Sequence, residues 1–168
     1  MAFDYVFQGA PSSVSAPAAT VCEGLDSVNG VGYYSSPSSS GWRVVTQNVA
    51  KALAKGQTAN NSNVLTYAVP VTGTYQVSLY EVSTNVPTAA TLPAVTVTYT
   101  DNQSNTAVTD TLADVTGVGA KGIVNEGSFL VDVAAGGNIV VATASYAAGS
   151  DGSNPLAYAI KALISFVG

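Results

Sequence analysis

The 168-residue sequence contains no histidine and a single cysteine. Without histidine there is no imidazole to act as a general base, to activate a nucleophile or to bind a metal ion. Cys22 by itself cannot form an internal disulfide or a CxxC metal or redox site. We therefore expect a protein that is not an enzyme and that carries neither a metal nor another cofactor.

Charge is also scarce. Charged residues make up 9% of the chain, and ten acids against five bases give a net charge of −5. The absence of a basic cluster argues against phosphate contacts, and so against a nucleic-acid partner. No apolar run approaches the roughly 18 residues of a membrane-spanning helix, so we expect no membrane partner. The bases are scattered singly, at Arg43, Lys51, Lys55, Lys121 and Lys161.

The residues that are present favour strands. Hydrophobic residues account for 47% of the chain, and most of them are Val and Ala, accompanied by many Thr, Ser and nine Tyr. This composition is rich in strand formers and poor in strong helix formers. The length suits one domain with a well-filled core. No basic residue precedes Arg43, so the N-terminus lacks the basic region of a secretory signal, and we expect a cytoplasmically made, soluble β-protein.

The composition changes near residue 41. Residues 1–41 are rich in Ser, Ala, Gly and Pro and show no regular periodicity, which predicts an extended N-terminal arm. At its start, Phe3, Tyr5 and Phe7 occupy alternate positions and share one face of a strand, so we expect this tip to dock on the domain or on a neighbour. Residues 42–168 form the predicted domain.

Alternation of apolar and polar residues predicts about eight antiparallel strands in residues 42–168, spaced as in a β-sandwich. The stretch 45–55 fits either a helix or a strand, and we favour the strand. Residues 128–133 and 138–146 read as a hairpin through Ala135, Gly136 and Gly137. The stretches 87–93 and 117–127 read as loops. The other predicted strands are 64–69, 74–82, 94–100, 107–113 and 156–167.

Three motifs resemble binding or catalytic signatures. Gly117, Gly119 and Gly122 spell G-x-G-x-x-G, but residues 123–127 do not favour the helix that a dinucleotide site needs, so we interpret a loop. Residues 101–105 offer oxygens as a calcium loop does, yet Thr106 replaces its glycine and Leu112 its final acid, which favours a polar hairpin turn. The ten acids are dispersed, which argues against the paired carboxylates of a glycosidase.

Two segments carry a resemblance to known families. The strand Gly73-Thr74-Tyr75-Gln76-Val77 resembles the G-x-Y-x-V central strand of the trimeric jelly rolls related to tumour necrosis factor and complement C1q. Residues 127–141 resemble their later hairpin, and the strand from Tyr158 to Phe166 is similar to their last strand, which runs beside the threefold axis. The resemblance implies a jelly-roll sandwich and a homotrimer. Around a threefold axis each subunit would bury one sheet face against the next, and we expect Tyr80, Tyr158 and Phe166 to contribute to that interface.

The segments 69–78 and 92–101 together resemble small structural proteins of tailed bacteriophages. That resemblance implies a virion component on the capsid surface, such as a trimeric decoration (cement) protein that binds the major capsid protein or other virion proteins. Attachment would fall to the arm, with Phe3, Tyr5 and Phe7 as the contact residues. Two alternatives stay open: a receptor-binding or fibre-tip module that holds host glycan through tyrosines, and a bacterial surface or spore-coat module.

Overall fold

A computed structural model describes residues 48–85, 89–150 and 154–168, together with the backbone of four short segments before them. Those segments are β1 (Tyr5–Phe7), β2 (Cys22–Asp26), β3 (Val31–Ser35) and β4 (Arg43–Val44), which form a sheet in that order. β1 pairs with β2 in parallel, and the other two pairs are antiparallel. Three of the four strands of this small sheet, β1, β2 and β3, thus lie in the segment predicted as an extended arm, and the boundary near residue 41 stays a prediction.

Ten strands follow. Eight are long enough to build a sandwich, and β8 and β11 pair with each other as a two-stranded ribbon. Their bounds are β5 (Asn48–Gln57), β6 (Leu65–Ala68), β7 (Gly73–Asn85), β8 (Ala90–Leu92), β9 (Ala94–Thr100), β10 (Ala107–Leu112), β11 (Val115–Val118), β12 (Val124–Val133), β13 (Asn138–Ala144) and β14 (Ala157–Phe166).

The sandwich has jelly-roll topology. One sheet has the order β12-β7-β14-β5 and the other the order β10-β9-β13-β6. The first strand of the eight pairs with the last, β6 pairs with β13, β7 with β12 and β9 with β10, all antiparallel. Such nested pairing, with the chain passing repeatedly between two sheets, is the jelly-roll arrangement. The predicted all-β, eight-stranded antiparallel jelly roll is confirmed.

Alternation along the strands fills the space between the sheets. In β7 the side chains of Tyr75, Val77 and Leu79 are buried, and their neighbours in sequence are at least partly exposed. β14 repeats the pattern, because a strand with one buried face has a side-chain period of two. At one end of the core Tyr75 contacts Tyr67 of the opposite sheet and Phe166 of β14, with ring centroids 5.9 and 5.1 Å apart.

The predicted hairpin of residues 128–133 and 138–146 is wrong. β12 pairs with β7, whereas β13 pairs with β6 and β9 in the other sheet. The glycine turn exists, with Gly136 at φ +85°, but it carries the chain from one sheet to the other. Its backbone is held by the β6–β7 connection, since the Gly136 N–H donates to the Val69 carbonyl oxygen and the Val69 N–H to that of Gly137, both at 2.8 Å.

Three other segments differ from or refine the sequence prediction. The ambiguous stretch is a strand from Asn48 onward, as favoured. β8 lies inside the predicted loop 87–93, and β11 enters the predicted glycine-rich connection. β12 begins at Val124, four residues earlier than predicted, because its pairing with β7 continues to Val82. Hydrogen bonding to a neighbouring strand therefore extends these strands into residues whose apolar and polar side chains do not alternate.

Candidate interaction surface

The residues predicted to mediate assembly fall into three structural settings. Phe3 lies outside the described residues, and Tyr5 and Phe7 are the ends of β1, so their attachment role stays a prediction. Tyr158 and Phe166, predicted at a trimer interface, are 0% and 6% exposed in the core of a single chain. Their rings are turned inward and leave no area for another subunit. An interface role is therefore pursued below for Tyr80 alone.

Tyr80 lies on the outward side of the sheet β12-β7-β14-β5, and we call this side the outer face. The cross-strand register fixes the row in which it lies: Leu53 pairs with Lys161, Lys161 with Tyr80, and Tyr80 with Glu126. Residues opposite one another in a sheet point to the same side. One row of the outer face therefore runs from β5 to β12 through two apolar and two charged side chains.

Large apolar side chains are concentrated on this face. Leu130 is 66% exposed, Leu53 59%, Val124 43% and Tyr80 41%. Register places Val124 opposite Val82 and Leu130 opposite Gln76, both on the outward side of β7. These four are among the six large hydrophobic residues exposed in the described part of the chain. A grouping of this kind on a sheet face marks a surface suited to contact with a partner.

A shallow groove runs beside Tyr80. It has a volume of about 120 Å³ and is lined by Ser78, Tyr80, Lys161 and Leu163, with Leu79 at its base. Lys161 on β14 and Glu126 on β12 lie on either side of Tyr80. Each of these two strands runs roughly 4.8 Å from β7, which is the usual spacing of adjacent strands in a sheet. Beside Tyr80, the outer face thus presents one positive group, Lys161, and one negative group, Glu126.

The apparent dinucleotide motif begins at Gly117 in β11 and continues into the loop between β11 and β12. Gly122 has φ +80°, and the residues after it enter a strand, not a helix. Ser83 holds this loop: its hydroxyl donates to the Ala120 carbonyl oxygen at 2.9 Å and accepts from the Ile123 N–H at 3.0 Å. The motif's glycines therefore serve a turn that is pinned to the end of β7.

Residues 101–105 form the predicted polar hairpin turn, joining β9 to β10. The Asp101 carboxylate accepts from the Ser104 N–H at 2.8 Å and from its hydroxyl at 2.7 Å. The backbone hydrogen bond from Ser104, followed by that from its hydroxyl, lowers the pKa of Asp101. This carboxylate is used to close its own turn.

Within the described residues, no three His, Cys, Asp or Glu side chains come together as a metal site. In the same part of the chain, no helix is long and apolar enough to cross a membrane. Four of the described tyrosines are buried in the core: Tyr67, Tyr75, Tyr99 and Tyr158.

Sequence reasoning missed Leu53, Val124 and Leu130 as surface residues. For Leu130 a signal was available, because it shares the phase of Glu126 and Ser128 on β12, two polar residues of an outward side. Phe129 and Val131 flank it, however, so the local run is apolar and its phase is not obvious. Leu53 and Val124 lie at strand segments that the sequence assigned ambiguously or to a loop.

No protein-family model matches the chain, and no curated protein matches it either. Among solved structures, it is similar to the globular domain of a zebrafish complement 1qA protein, with a TM-score of 0.44 and 10% identity over 70% of this chain and 95% of that one.

Two viral structures are also similar. The acid-stable capsid of Helicobacter pylori bacteriophage KHP30 gives a TM-score of 0.39 and 15% identity over 73% of this chain and 94% of that one. The structure of infectious bursal disease virus, Gx strain, gives a TM-score of 0.46 and 11% identity over 83% of this chain and 42% of that one. The jelly-roll assignment rests on the strand order described above and not on these likenesses.

Proposed function

We propose that this chain is a non-enzymatic structural protein of a virion, which assembles as a homotrimer on the capsid surface and stabilises the shell. The observation that carries the proposal is the outer face, on which four large apolar side chains are exposed around a row of opposite charges. A permanent assembly buries such a surface through area and fit. The trimeric state and the capsid partner follow the sequence resemblances.

The partner for the outer face is a second copy of this chain. Lys161 and Glu126 flank Tyr80, so each copy supplies both a positive and a negative group to a shared contact. A face with one sign of charge would repel its own copy, whereas this face can pair opposite charges across the contact.

Capsid attachment is assigned to the N-terminal segment. The strands β1 to β4 pair with one another and with none of the sandwich strands. A segment that is not woven into the sandwich can bind a neighbouring protein while the sandwich keeps its fold. Phe3, Tyr5 and Phe7 remain the proposed contact residues.

The test is the composition of virus particles. The full-length chain, added to particles of its source virus that lack it, should co-sediment with them and raise the temperature at which they lose their contents. A chain lacking residues 1–41 should stay in the supernatant with the circular dichroism spectrum of a folded β-protein. A full-length chain that ignores the particles and is retained instead on a glycan column would replace this proposal by the receptor-binding alternative.

A further inference from the structure

Polar side chains are rare in the described part of the core. Only Glu81, Ser83 and Thr143 are both polar and buried there. Glu81 and Ser83 are on β7, and Thr143 is on β13 of the opposite sheet. The hydroxyl of Tyr158, a residue paired with Ser83, lies 2.9 Å from the Thr143 hydroxyl. One end of the sandwich therefore contains a small buried polar cluster.

Three members of the cluster, Ser83, Thr143 and Tyr158, have hydrogen-bond partners. Ser83 bonds the 119–123 loop as described above. The Thr143 hydroxyl accepts from the Asn61 N–H at 2.7 Å, and the Tyr158 hydroxyl donates to the Ala59 carbonyl oxygen at 2.9 Å. These bonds tie the β5–β6 loop and the loop before β12 to the end of the sandwich.

Glu81 is different. It is 0% exposed, and neither of its carboxyl oxygens meets a partner in ordinary hydrogen-bond geometry, although the Asn125 side chain is close enough to lower the pKa of Glu81 slightly. Asn125, its cross-strand neighbour on β12, directs its side-chain amide to the Ala113 carbonyl oxygen at 2.8 Å. On the other side, β14 presents Ile160 opposite Glu81. A buried, unpartnered carboxyl group is an arrangement that costs free energy in its charged form.

Within the described residues, no positive charge compensates this carboxyl group. The lysines of the described residues are all exposed, and the buried residues of β8 and β11 are apolar. The ionisable group that faces Glu81 is the Tyr158 hydroxyl, whose own pKa is raised, first by burial and in smaller part by Glu81. From β12 the nearest polar group is the uncharged Asn125. The surroundings of Glu81 thus favour the neutral acid.

We propose that Glu81 is a protonation-dependent lock on this end of the sandwich. With Glu81 neutral, β7 and β12 stay paired past it and Ser83 holds the 119–123 loop closed. When Glu81 loses its proton, the carboxylate draws water into the cluster and the strand ends and the loop open. The protein is therefore most stable in acid and loosens as the pH rises.

The direction of this dependence follows from linkage. Burial raises the pKa of Glu81 from 4.5 to about 8, with a smaller opposing effect of Asn125. Between those two pH values the folded chain holds a proton that the unfolded chain has released. The stabilisation is present below pH 4.5, falls as the pH rises and is lost above about 8. One proton corresponds to a tenfold change in the unfolding equilibrium constant per pH unit.

The experiment is urea unfolding at fixed protein concentration across pH 5 to 8, with the wild-type chain, Glu81→Gln and the exposed-acid control Asp114→Asn. The wild type and the control should lose about tenfold in the folding equilibrium constant per pH unit, beyond the shared background. Glu81→Gln should lose this dependence. Exchange of the backbone amide hydrogens of residues 81–85 and 119–126 should also speed up with rising pH. In the wild type, but not in Glu81→Gln, this increase should exceed the pH dependence of exchange in an unfolded chain.

A second measurement does not depend on the variant folding. Carbon NMR of the glutamate carboxyl groups in the wild-type chain should show one group that titrates near pH 8. An ordinary titration for every glutamate, or a Glu81→Gln profile that follows the wild type, would overturn the proposal.

Discussion

At the scale of single residues, Gly73 is the described glycine at which an added Cβ atom would make the closest contacts. A Cβ atom there would lie 2.7 Å from the backbone oxygen of Gly168 and 2.8 Å from the ring of Phe166. The backbone φ of +157° is also unfavourable for residues with a side chain. The glycine is needed because the chain terminus crosses the start of β7 at this point, where the Thr74 N–H donates to the Gly168 oxygen at 2.6 Å.

We therefore expect Gly73→Ala to lower the free energy of unfolding by about 1–3 kcal/mol, because backbone and a packed aromatic ring must move. Gly119→Ala is the matched control, since a Cβ there meets nothing within 4 Å. Its effect should stay within about 0.5 kcal/mol. Urea denaturation of both variants measures the difference, and equal stabilities would show that the terminus yields without cost.

At the scale of elements, β14 is the strand on which the sandwich depends. It lies between β7 and β5, so it forms two ladders, and its inward residues are buried along its whole length. The alternation of Tyr158, Ile160, Ala162, Ile164 and Phe166 predicted this buried face, and the structure confirms it. The sequence could not say that the last strand is central, because that position depends on partners more than 70 residues away.

Ile160 lies on this buried face and has no exposed surface. Ile160→Ala should lower the free energy of unfolding by about 2–5 kcal/mol, since it removes buried methyl groups and leaves a cavity. Ile123→Ala, at a residue that is 36% exposed in a loop, should cost far less. Thermal and urea unfolding compare the two. A similar loss in both variants would mean that β14 is not packed as described.

At the scale of the whole molecule, the outer face decides how the chain behaves in solution. Leu130→Ser removes exposed apolar area from the outer face, and Lys161→Glu reverses one of its charges. Each variant should weaken association and increase the fraction of monomer. Adding Glu126→Lys to Lys161→Glu should restore part of the association, because opposite charges again meet across the contact. Ile123→Ser is the control, since it removes exposed apolar area outside the face.

Sedimentation equilibrium over a concentration series measures these changes. The wild type should sediment as a trimer, with the control unchanged. A wild-type chain that is monomeric at every concentration, or surface variants that associate as well as the wild type, would remove the assembly role of the outer face.

The sequence by itself determined the local structure. Period-two alternation identified most of the strands and their buried sides, as in Tyr75, Val77 and Leu79, because that signal is carried by adjacent residues. Extending the same phase places Glu81 inward, but a lone acid in a core contradicts ordinary burial preferences, and only packing reveals it.

Tertiary structure decided what is not local. It separated β12 from β13, although a glycine turn joins them, and it buried Tyr158 and Phe166 in the core of the single chain. It also gathered Leu53, Tyr80 and Leu130 on one face from three strands. The residues of a strand determine which of its sides is apolar. Which strands lie next to it in the sheet depends on contacts between residues that are far apart in the chain.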